Sequence, residues 1–142
     1  MNILISACLM GVNCRYDGVG MWIEHLDELM KKYHLIPVCP EIFGGMSTPR
    51  EPAERIKDKV ITRIGEDVTE YYKKGAQEVL NLAKLYQCEY AILKERSPSC
   101  GCGKIYDGTF THTQIDGDGV LAELLISEGI KVLGESNVQE LL

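Results

Sequence analysis

The sequence predicts an α/β fold: a single domain over residues 1–142 with a mainly parallel open sheet and helices on both faces, Rossmann-like. Three observations carry that expectation. Short apolar runs alternate with stretches of helical period, the pattern of β-α-β units joined by right-handed crossovers. A chain of 142 residues is long enough to bury roughly two-thirds of its unfolded surface around one core. Hydrophobic residues at 45% and charged residues at 25%, with no repeat or low-complexity tract, match an ordinary globule without an internal linker.

The elements follow in order. Residues 2–7 read as a buried strand that ends in the turn-prone run around Cys8 and Gly11. Over 21–33, Trp22, Ile23, Leu26, Leu29 and Met30 recur at helical spacing, and Lys31 and Lys32 suit a helix C-terminus through the macrodipole. Residues 35–38 form a second strand, closed by Cys39 and Pro40 because proline cannot continue a central ladder. Residues 41–52, rich in Gly, Pro, Ser and Thr, read as a long irregular loop over the sheet. Residues 57–64 form a minor strand or hairpin, and the capping residues around Asp67 and Thr69 start a helix that runs to about Tyr86. Residues 90–93 give a third strand, followed by a polar turn-rich run to Gly101. Residues 120–128 are helical, 130–133 supply the last strand, and the remainder is a short polar end.

Bulk properties exclude several functions. A formal net charge of -6 works against nucleic-acid binding, since such proteins present a basic face to phosphates, and favours a small-molecule partner. No apolar stretch approaches the ~20 residues of a membrane span, and no basic region precedes a hydrophobic core at the N-terminus, so the expected location is the cytoplasm and no membrane is involved. Six cysteines in such a protein are thiols serving chemistry rather than a disulfide framework. Oligomeric state is not legible.

Cys8, Cys39 and Cys100 each follow a strand, and in an open α/β sheet ligands bind outside the carboxyl ends of the strands. Three separated thiols thereby become one candidate site. Soft thiolates select zinc, copper(I) or iron–sulfur clusters. Structural zinc sites draw on close pairs, which these distant cysteines do not form, so the scatter favours a cluster, with zinc remaining the alternative. Three cysteines on a cubane leave one iron without a protein ligand, a Lewis acid open to a substrate donor. Glu41, two residues after Cys39, and Ser97, three before Cys100, are the acid–base candidates beside it.

Several segments resemble, in order along nearly the whole chain, those of the thiouracil desulfidase domain family. They are SACLMGVNCRYDG at 6–18, PVCPE at 37–41, GGMSTPR at 44–50, GEDVT at 65–69, LKERSPSCG at 93–101 and IYDGTF at 105–110. The resemblance implies a [4Fe–4S] cluster held by Cys8, Cys39 and Cys100, with the thiocarbonyl sulfur of a thiolated pyrimidine on the fourth iron. It also implies that Glu41 and Ser97 assist a hydrolytic desulfuration giving uracil and sulfide from 2-thiouracil with no net redox change. Cys14 is a further thiol of the same motif, a neighbour of the site or an alternative ligand. Arg15, Asp17, Arg50 and Lys94 are candidates to bind the planar heterocycle or to support the site.

Blander readings stand beside these. Buried cysteine is common, and Cys88 reads as core and Cys102 as incidental. Glu41 can cap a helix and Ser97 can start a turn. His25, His34 and His112 show no ligand pattern, Asp116–Gly119 lacks most of a calcium loop, and no glycine pair completes a nucleotide-binding motif. The functional alternatives are a non-catalytic thiolate metal-binding or sensing protein, and a desulfidase for thiolated nucleosides.

Overall fold

A computed structural model describes residues 1–142. In chain order its elements are β1 (Asn2–Ser6), α1 (Leu26–Lys32), β2 (His34–Val38), α2 (Pro40–Phe43), β3 (Ala53–Ile56), β4 (Lys59–Thr62), α3 (Thr69–Leu85), β5 (Tyr90–Leu93), β6 (Lys104–Tyr106), β7 (Gln114–Asp116), α4 (Val120–Ser127) and β8 (Lys131–Gly134), with short 3-10 helices at Ala7–Leu9 and Glu135–Leu141.

The four predicted apolar runs pair as one parallel sheet in the order β2-β1-β5-β8. Because β1 and β5 are central and covered on both sides, their inner residues Ile3, Leu4, Ile5, Ala91, Ile92 and Leu93 are apolar and fully buried. Leu4, Ala91 and Leu93 pack under Val79, Leu80 and Ala83 of α3 and Leu121 and Leu125 of α4. Ile3, Ile5 and Ile92 pack on the opposite side against Leu26 and Leu29 of α1 and Val138 and Leu141 of the last 3-10 helix. This is the expected three-layer α/β arrangement. Pro37 lies in β2 without cost because β2 is an edge strand and the missing N–H faces outward.

Several expected elements change. The helix expected over 21–33 begins only at Leu26, because the preceding backbone is claimed by the loop after β1. Met21 N–H donates to the Cys8 carbonyl at 2.7 Å, Gly11 N–H to that of Met21 at 2.9 Å and Ile23 N–H to that of Leu9 at 3.2 Å. Trp22 is therefore 75% exposed instead of lying on a buried helix face, with its ring over Gly11. The loop expected over 41–52 starts as the helical turn α2, with Pro40 at its first position, where its fixed φ and missing N–H are no handicap. The minor hairpin is β3–β4, a few residues earlier than expected and turning at Lys57. The hairpin β6–β7 has no counterpart in the sequence reading. The polar end is a 3-10 helix whose Val138 and Leu141 are buried.

The approach of α2 to α3 positions the site. A Cβ on Gly75 would lie 1.7 Å from the Pro40 carbonyl oxygen, and one on Gly44 would lie 2.0 Å from that of Tyr71. Two glycines thus let the backbones meet, bringing Pro40 and Glu41 onto the first turns of α3. Gly75→Ala should force α2 outward and cost about 2 kcal/mol, read as a lowered midpoint of urea denaturation; an unchanged midpoint would show that the contact is slack.

Candidate active site

Ser6 ends β1, and Cys8 follows in the 3-10 turn Ala7–Leu9. Cys39 follows β2 in extended conformation and opens α2. Cys100 stands in the loop beyond β5. Between β1 and β5 the strand order reverses, the place where open α/β sheets form their binding crevice. Lys94 N–H joins the two strand ends there by donating to Ser6 Oγ at 3.0 Å. A cavity of about 730 Å³ opens above this edge, lined by Cys8, Cys14, Arg15, Asp17, Cys39, Glu41, Arg50, Lys94, Ser97 and Cys100. All the residues picked from the sequence are thus brought together. Cys88 and Cys102 lie outside it, Cys88 buried in the α3–α4 core.

The thiols feel one another. Burial, followed by the neighbouring Cys39, pushes the Cys8 thiol up to about 11. Burial pushes Cys100 up to about 12, opposed by the hydrogen bond of Ser6. The Cys14 thiol, as a hydrogen-bond partner, holds Cys39 down to about 7, and the same contact together with burial raises Cys14. Cys39 is therefore the thiol of the group most ready to ionise. Its Sγ also lies 3.9 Å from the Cys14 carbonyl oxygen.

Glu41 is the hub of the polar half. Its Oε1 accepts from Arg50 Nε at 3.0 Å and from the Tyr72 hydroxyl at 2.9 Å, and its Oε2 accepts from Ser99 Oγ at 2.8 Å. Ser99 Oγ is also 3.6 Å from Cys100 Sγ. A carboxylate only accepts, so the single Ser99 hydrogen goes to Glu41, and the Ser97 hydroxyl, 2.9 Å away, must donate to Ser99. Ser97 Oγ in turn accepts the N–H groups of Ser99 and Cys100, both at 3.1 Å. One directed chain therefore runs from Ser97 through Ser99 to Glu41. Burial and the adjacent carboxylate push the Tyr72 pKa far up, so this hydroxyl remains a donor.

Sequence reasoning missed Ser99 and Tyr72. Ser99 had a weak signal, its place beside Cys100 in the same polar run. Tyr72 sits one helical turn before Ala76 on the apolar side of α3 and reads as core; its partner is 31 residues away, which no local pattern reports.

Arg50 holds the loops around Glu41 together. Its side chain is 5% exposed, and besides Glu41 it donates to the carbonyls of Ser47 at 3.1 Å and Cys14 at 2.9 Å. Lys94 Nζ is bound by Glu135 Oε1 at 2.8 Å, and Asp17 Oδ1 accepts Val19 N–H at 3.1 Å to shape its own turn. These contacts give Arg50, Lys94 and Asp17 supporting work at the cavity wall.

Residues 3–137 match the model of the 2-thiouracil desulfurase family. The chain belongs to this family. It is 44% identical over 150 aligned positions to YbbK, an uncharacterized protein of Bacillus subtilis (strain 168), covering 99% of each. It also superposes on a solved structure of a [4Fe-4S]-dependent thiouracil desulfidase, TudS, with a TM-score of 0.93 and 42% identity, covering 99% of this chain and 94% of that one. No helix of the chain is long and apolar enough to cross a membrane.

Removing the Arg50 guanidinium leaves a largely buried carboxylate and two loop carbonyls short of a partner. Arg50→Met should cost about 3 kcal/mol by urea denaturation; a loss below about 0.5 kcal/mol, the size of an exposed pair, would contradict the burial argument.

Proposed function

We propose that this chain desulfurates a thiolated pyrimidine, 2-thiouracil to uracil and sulfide, at a [4Fe–4S] cluster bound by Cys8, Cys39 and Cys100. The observation that carries the proposal is one cavity in which three thiols from three strand exits face a carboxylate linked to one of them through Ser99. The donor set suits the group in its chemistry: three soft sulfur ligands, half-buried or better, on the exits of one sheet. The similarity to the cluster-dependent TudS supports it as well. Cys14 touches Cys39 rather than completing the set, and its carbonyl is committed to Arg50. The site should be loaded through thiolates, so binding expels the protons that burial retains on Cys8 and Cys100.

When bound, such a cluster supplies an iron without a protein ligand, a Lewis acid that polarises the C=S bond of the substrate. The chain's own residues do the rest. Two donors occupy Oε1 of Glu41 and one occupies Oε2, so the lone pair left on Oε2 is the one available to a water in the cavity. Glu41 takes a proton from that water as general base, and the oxygen it delivers replaces sulfur at the pyrimidine carbon. Water supplies the oxygen that enters uracil, and its two protons leave with the sulfur as hydrogen sulfide, so the reaction is hydrolysis without change of oxidation state. Arg50 and Tyr72 keep the carboxylate aimed during this transfer. Ser99 fixes its second oxygen, and Ser97 winds the loop that presents Cys100 and lines up the Ser99 hydroxyl.

Anaerobic reconstitution should give a brown protein with about four irons per chain, which releases sulfide from 2-thiouracil within a panel of thiolated pyrimidines and nucleosides. Glu41→Ala should keep the iron and lose at least about 100-fold in kcat. Full iron with no sulfide from any member of the panel would return the protein to metal binding or sensing, and one tightly held zinc in place of iron would overturn the cluster.

A further inference from the structure

We propose that the tip of the β6–β7 hairpin is the specificity wall of this cavity, with Phe110 as the platform on which the flat face of the heterocycle stacks and Glu54 as the residue that fixes it. This inference rests on the thiolated-pyrimidine reading. Tyr106, Phe110 and His112 line the same cavity as the cysteines and Glu41. Phe110 is the aromatic lining residue with no polar atom to satisfy, whereas the Tyr72 hydroxyl is already held by Glu41. A thiopyrimidine carries its hydrogen-bonding groups on its rim and two π faces that need a nonpolar partner. A cavity otherwise rich in charged groups offers that partner at Phe110.

The hairpin is built to hold this ring in one place. Phe110 and His112 both take left-handed backbone conformations, with φ 57° and 59°, which residues carrying a Cβ adopt only when the surroundings impose it. The imposing group is Glu54, 8% exposed, whose Oε1 accepts the N–H of Gly108 at 2.9 Å and of Phe110 at 3.1 Å. Gly108 is needed for the approach, since a Cβ there would lie 2.3 Å from Ile56. On the outer side, Asp107 Oδ1 accepts from Thr109 N–H at 2.9 Å, and the hydroxyls of Thr109, Thr111 and Thr113 follow one another at 2.6 and 2.8 Å. His112 is braced edge-to-face on Tyr106, with ring centroids 5.8 Å apart at 80°. A buried carboxylate spent on two backbone N–H groups of a surface hairpin fits a tip that must be rigid, because an ordinary turn needs no such support.

The test compares Phe110→Leu with Phe110→Tyr in the anaerobically reconstituted protein. Leucine keeps the apolar bulk and removes the π face. The expected result is a rise of about tenfold in KM for 2-thiouracil and in Kd for uracil, a smaller change in kcat, unchanged iron content, and near-normal KM and Kd for the tyrosine variant. Glu54→Ala should raise both constants in the same direction by releasing the tip. Wild-type KM and uracil Kd in Phe110→Leu would overturn the platform, as would loss of iron, which would make Phe110 structural. Wild-type sulfide release in those cases leaves the desulfidase reading standing; iron-loaded wild type that neither releases sulfide nor binds uracil overturns both.

Discussion

The carboxylate of Glu41 is the constraint that joins the parts of this molecule. Its three donors come from three different segments: Arg50 from the loop after α2, Tyr72 from α3 and Ser99 from the loop beyond β5. A carboxylate this far out of water must be satisfied on both oxygens, so each segment is positioned by the need to reach it. The close passage of α2 over α3 at Gly44 and Gly75 serves the same end, because without it Tyr72 could not reach across. Ser99 extends the network to the sulfur of Cys100, so the polar and thiol halves of the cavity share one atom.

The sheet supplies the frame on which that network hangs. β1 and β5 are buried along all but their first residues, and their ends are tied by Ser6 and Lys94, so the turns bearing Cys8 and Cys100 leave from a braced edge. Cys39 arrives from β2, with its thiol favoured toward ionisation by Cys14. Sites on strand exits hold geometry better than sites on free loops, which suits a donor set that must fit a cluster of fixed dimensions. On the proposed reading, binding strength comes from the thiols, proton handling from Glu41, and choice of ring from the β6–β7 tip.

The sheet was legible in the sequence because buried parallel strands appear as short continuous apolar runs: residues 3–5 and 91–93 are such runs, and the edge strand at 35–38 is apolar although only Val38 of it is buried. Strand exits carry the chemistry in this architecture, so the cysteines at those exits and Glu41 were legible with them. Features set by distant partners were not. Trp22 and Ile23 fall in helical spacing with Leu26, Leu29 and Met30, yet the backbone of Met21 and Ile23 pairs with the loop after β1. The strands β6 and β7 are short, and β7 is exposed throughout, so no alternation marks them. Glu54 looks like any charged residue until Gly108 and Phe110 are seen to donate to it across 54 and 56 residues. Tyr72 and Ser99 belong to the same class: polar atoms whose purpose is a contact formed only in the folded chain.

On the proposed reading, three strand-exit thiols, and no fourth protein ligand, hold the cluster beside Glu41. Anaerobic crystals of reconstituted protein, measured by anomalous diffraction at the iron edge, test it most directly. The expected result is a cubane in the cavity bonded to Cys8, Cys39 and Cys100, with one iron bearing no side chain. A single metal ion, or a fourth bond from Cys14 or any other residue of the chain, would contradict it.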